Sequence, residues 1–187
     1  MTPSQQFADW QILRTIKLQA VATWILLDAI KRLEKLESAI VSALLDTEVS
    51  GEVLTGQRKR FNAFRSQLEE LITDAYRELN RRVEESLSVV VAKEDEEQRK
   101  NFLAWFGLPL VTADVKAGQL NILGQPLKQW LGKQAGDLQF RIEQAVKNGV
   151  LAGEDETKIK RRVKGWPGTG KDAEAVAIPR PVIPSKK

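Results

Sequence analysis

Apolar residues recur along most of this chain at steps of three and four. From Trp10 the positions Leu13, Ile16, Ala20, Trp24, Leu27, Ile30, Leu33, Leu36, Ile40 and Leu44 form one such series, with no Gly or Pro before Gly51. That spacing lines one side of a helix, and it predicts a single helix of about 40 residues, about 60 Å long at the standard rise. Thr2-Pro3-Ser4 supplies a capping hydroxyl and, with Pro3 at or near the first helical position, a preset backbone angle, so the helix is expected to start at once. A second series runs through Phe61, Phe64, Leu68, Leu71, Ile72, Tyr76, Leu79, Val83, Leu87 and Val90, again without Gly or Pro. Between the two lies TEVSGEVLTG, Thr47 to Gly56, a turn short enough to make the helices antiparallel. Helices this long point to a coiled coil or an elongated bundle.

The pattern then changes. Val89, Val90 and Val91 are β-branched and a charge block occupies 93–100, a combination that predicts a weakening or bend of the second helix. NFLAWFGLPL follows, and its Phe102, Trp105 and Phe106 run into the break at Gly107 and Pro109. An aromatic cluster at a boundary is more often a core cap than an anchor for a partner. These three residues, with Trp166, are nevertheless the candidate partner-binding positions. Val111 to Leu123 is compatible with two small strands or an irregular connector, and periodicity does not choose between them.

From Gly124 to Gly165 apolar periodicity is joined by ordered punctuation. Leu127, Trp130, Leu131, Leu138, Ile142, Ala145 and Val146 form a helical stripe, and Asn148-Gly149 reads as its left-handed close. A shorter helix is expected after Ala152-Gly153, with Glu154, Asp155 and Glu156 at its positive end and the basic residues Lys158 to Lys164 at its negative end. The run LQFRIEQAVKNGVLAGEDETKIKRRVKG, within the last third of the chain, resembles the helix-turn-helix segment of phage minor head proteins, the Mu F-like head morphogenesis family. Further sequence normally follows this hairpin in that family, so the resemblance implies a shortened member. It also implies a structural virion component associated with the portal and the inside of the head, where it would aid head assembly or genome delivery. Its partners would be portal or other head proteins, and its location the virion, with host cytoplasm during assembly.

Composition narrows the chemistry more than it defines it. The chain has 187 residues, 42% hydrophobic and 29% charged, with a formal net charge of +4. It has no Cys and no His, which removes thiolate ligands, the commonest metal ligand and the His-assisted nucleophiles together. The N-terminus lacks the basic region and apolar core of a secretory signal, and the apolar run Ala20 to Leu27 is far shorter than the roughly 20 residues that span a bilayer. No membrane association of the free chain is expected.

Gly165 to Lys171 fits the first seven characters of a phosphate-binding loop, GxxxxGK. The eighth, which should be Ser or Thr to hold magnesium, is Asp172, and a Pro-rich tail replaces the helix that should follow. A Gly/Pro hinge is the better reading, and no cofactor is expected. Clustered carboxylates such as Glu69-Glu70 and Glu84-Glu85 sit where helix exteriors are expected, which argues against an enzyme. The basic run Lys158, Lys160, Arg161, Arg162 and Lys164 is the candidate nucleic-acid contact, salt-sensitive and blind to sequence. A nonspecific nucleic-acid-associated scaffold is thus the main rival to the head-protein reading.

The expected architecture is all-α. A long hairpin occupies 1–106, a connector 107–125, a small helix-turn-helix module 126–165 and an extended tail 166–187. Greasy-sided helices of this kind should pack against copies of themselves or another protein, so a homo-oligomer or a multi-copy place in an assembly is expected.

Overall fold

A computed structural model of the chain describes residues 2–51, 56–110, 121–122 and 124–164. Trp166, the phosphate-loop-like stretch and the tail lie outside the described residues. The fold is all-α: α1 spans Pro3–Asp46, α2 Gln57–Phe106, α3 Leu127–Leu151 and α4 Glu156–Lys164. Most of the stretch left open between strand and connector is also outside the described residues. Its end, β1 (Asn121–Ile122), pairs antiparallel with β2 (Gln125–Pro126) in the register Asn121 to Pro126 and Ile122 to Gln125.

The two long helices form where the spacing predicts them. α1 is 44 residues long and α2 is 50. At the start of α1 the Thr2 hydroxyl accepts the Gln5 backbone N–H at 3.3 Å while the Gln5 side chain accepts the Thr2 N–H at 2.9 Å, a reciprocal cap. The weakening expected across the charge block does not occur, and α2 runs on to Phe106. Its charges are used instead: Asp95 accepts from Arg99 one turn on at 2.8 Å, and Glu94 and Glu97 pair with Arg14 and Lys17 of α1.

The chain divides into two compact units, and both are assembled from separated segments. Unit 1 is Met1–Ala29 with Glu78–Trp130, and unit 2 is Ile30–Arg77 with Leu131–Lys187. In unit 2 the hydrophobic core is made by Leu36, Ile40 and Leu44 of α1, Phe64, Leu68 and Ile72 of α2, Leu138, Ile142 and Val146 of α3, and Ile159 and Val163 of α4. Val49, from the link after α1, is buried in the same cluster. Four helices therefore share one core there.

Unit 1 is held differently. Phe7 meets Trp105 and, further along α1, Arg14 pairs with Glu94 earlier in α2, so the two helix segments run antiparallel; Lys17 with Glu97 adds a second ion pair between them. Yet among its described residues only Leu79 and Leu127 are buried. Phe7, Trp10, Leu18, Val21 and Ile25 share a face of α1 and are half-buried.

Here the apolar series read from the sequence proves misleading. Leu33, Leu36, Ile40 and Leu44 pack in or against the core of unit 2, but Leu13 (58% exposed), Ile16 (57%), Trp24 (60%) and Leu27 (46%) lie on the open side of α1 in unit 1. Helical geometry gives the reason. From Trp10 to Leu44 the series takes ten steps averaging about 3.4 residues against 3.6 per turn, so it rotates by roughly 200° end to end. One stripe in the sequence is two faces in space.

Candidate interaction surfaces

The aromatic residues flagged at the end of α2 are brought together with two from the start of α1 that sequence spacing did not associate with them. Trp105 meets Phe7 with ring centroids 6.1 Å apart and Trp10 at 5.7 Å, both edge-on. Phe106 meets Phe7 at 6.2 Å and Phe102 at 4.8 Å. Arg14 lies over the Trp10 ring, 5.4 Å from its centroid, and its guanidinium also pairs with Glu94. Trp105 is thus occupied against α1, while the ring contact of Phe102 is with Phe106 one turn along the same helix, and both Phe102 and Trp105 are half-buried. Phe106, Leu103 and Leu108 keep 40%, 55% and 60% of their surface exposed, so the apolar rim continues to solvent.

The α3–α4 pair is built around two close backbone approaches. α3 does not close at Asn148-Gly149: it continues to Leu151, and Gly153 carries the left-handed backbone with φ 68°. Gly149 is needed in the helix for another reason, since a Cβ there would lie 2.7 Å from Ile159 of α4. The residues that looked like a terminator are a packing surface. Gly51, from the link between α1 and α2, lies against the turn so closely that a Cβ would meet backbone atoms of Gly153 and Glu154 at 2.5 Å. The Gly51 N–H donates to the Glu154 carbonyl at 2.7 Å. The Asp155 carboxylate caps α4 by accepting the Lys158 backbone N–H at 2.8 Å.

That capping bond is the main reason the Asp155 carboxyl is held below its usual range. Glu154 is lowered as well, chiefly by its hydrogen bond from Arg162. The pair is two-pronged: Arg162 Nε donates to one carboxylate oxygen at 2.6 Å and Nη2 to the other at 2.7 Å.

This arrangement redistributes the basic run proposed for nucleic acid. Arg162 is committed to Glu154, Lys158 pairs with Asp155 at 3.3 Å, and Lys164 reaches Glu37 at 3.9 Å. Ile159 and Val163 face the core, while Lys160 is partly exposed and Arg161 lies exposed on the outer side of α4. Elsewhere charges pair locally along α2. Hydrogen bonds from Arg81, and secondarily from Arg82, hold the Glu78 carboxyl at about 2. Among the described residues no cluster of acidic side chains is placed to hold a metal ion, and no helix is long and apolar enough to cross a membrane.

No family model matches the chain, and no curated protein or solved structure is similar to it.

Proposed function

We propose that this protein is a structural, portal-associated minor head protein of a phage virion, one that aids head assembly or genome delivery and catalyses no reaction. The observation carrying this reading is the α3–α4 helix pair, because the residues that resemble the minor head family, Leu138 to Gly165, include those that build it. Its Gly149 and Gly153 serve packing and turn geometry, and its apolar positions Leu138, Ile142, Val146, Ile159 and Val163 share one core with α1 and α2. The exposed apolar surfaces of unit 1 support it too, since contiguous greasy surface on a chain of this charge suits a subunit that is covered in an assembly.

The test is whether a portal protein is encoded beside its gene, followed by co-expression with a phage portal protein and mass spectrometry of purified particles. The protein is expected in the particle and in portal pull-downs. Its absence from both would overturn the reading. Nonspecific contact with packaged DNA through the outer face of α4 is compatible with this role, and with Lys158, Arg162 and Lys164 paired to acids the contact should be weak and lost at moderate salt.

A further inference from the structure

The open side of α1 in unit 1 carries Leu13, Ile16, Ala20, Trp24 and Leu27 within about a third of the helix circumference, and all five are exposed. Their spacing is 3, 4, 4 and 3, which reads the same in both directions. Ala20 is the centre: Ile16 and Trp24 stand four residues either side of it, and Leu13 and Leu27 seven. The symmetry extends to charge. Asp9 stands four residues before Leu13 and Lys31 four after Leu27, and both are exposed.

We propose that this face of α1 is a self-association surface, on which a second copy of the chain docks with its own α1 antiparallel and Ala20 on the two-fold axis. In that register Leu13 meets Leu27 of the second copy, Ile16 meets Trp24, and Asp9 meets Lys31, each contact occurring twice, as a two-fold interface requires. The small Ala20 pair lets the helix axes approach closely at the centre while the larger residues interdigitate on either side. A parallel pairing in the same register sets Asp9 against Asp9 and Lys31 against Lys31, so charge selects the antiparallel arrangement. The need for such a cover is visible in unit 1 itself, where among the described residues Leu79 and Leu127 alone are buried and the other apolar side chains are half-buried or open.

The absence of Cys from the chain makes a direct test available. In the full-length protein, Ala20→Cys should form a disulfide-linked dimer on mild oxidation, because the axis brings the two sulfurs together. Asp9→Cys alone should not cross-link, whereas a mixture of Asp9→Cys and Lys31→Cys chains should give the mixed dimer. Light scattering behind size exclusion should show a dimer whose dissociation constant rises at least about tenfold in Asp9→Lys and returns toward wild type in Asp9→Lys/Lys31→Asp. Trp24→Glu should leave a monomer with unchanged helical circular dichroism. A wild-type protein that is monomeric up to about 100 µM, a dimer indifferent to Trp24→Glu, or self-linking of Asp9→Cys overturns the proposal. The inference does not depend on the virion role: a chain that dimerises but fails to enter particles would refute only the latter.

Discussion

Gly51 shows how much one hydrogen atom can decide. Any larger side chain there must displace the backbone of Gly153 and Glu154, and backbone in a packed turn has nowhere to go. Gly51→Ala is therefore expected to destabilise unit 2 by about 1–3 kcal/mol, read as a lowered urea midpoint with an unchanged slope. A Gly51→Ala protein as stable as wild type would contradict the close approach. Asn80 makes the opposite prediction. Its side-chain oxygen is buried without a hydrogen-bond partner, a situation that costs about 1–3 kcal/mol when uncompensated. Replacing it by Leu, of similar shape, should leave stability equal or raise the melting temperature. Neither effect could be read from the sequence, where Gly51 is one of several turn residues and Asn80 one polar residue on a charged helix.

At the scale of elements, the α3–α4 pair joins an apolar seam to an electrostatic clamp, and each can be tested. Ile142 is 3% exposed in the shared core, and Ile142→Asp places an unpaired charge there. A loss of several kcal/mol and collapse of the cooperative melt are expected; an unchanged melting profile would refute the core assignment. The clamp predicts a pH dependence. Because Glu154 and Asp155 bind their protons less readily when folded than when unfolded, they stabilise the fold above their unfolded carboxyl values of about 4.3 for Glu and about 3.9 for Asp, and that contribution is lost as pH falls through their lower folded values. Melting temperature should therefore fall as pH is lowered below about 5, and Glu154→Gln should show a shallower drop. The helix pair itself was legible, since apolar spacing and Gly placement announce it. Which Gly ends α3 was not: Gly149 and Gly153 look alike in sequence, and only the position of Ile159 tells a contact from a cap.

For the molecule as a whole, the two units differ in how much they bury, and hydrogen exchange should register it. Amides of α1 around Leu36 to Leu44, inside a four-helix core, are expected to exchange more slowly in dilute solution than those between Trp10 and Leu27. Uniform protection along α1 would remove the distinction.

Hydrophobic spacing by itself determined that the chain is helical, where the two long helices begin and turn back, and which residues of α2 and α3 point inward, because those are local consequences of 3.6 residues per turn. Tertiary structure decided what the spacing could not contain: that the long stripe of α1 divides between a core and an open face, that Phe7 and Trp10 complete the aromatic cluster, and that Arg162 is held by Glu154. Each depends on a partner distant along the chain or on the accumulated rotation of a helix, and a pattern of steps specifies an apolar face without saying what, if anything, covers it.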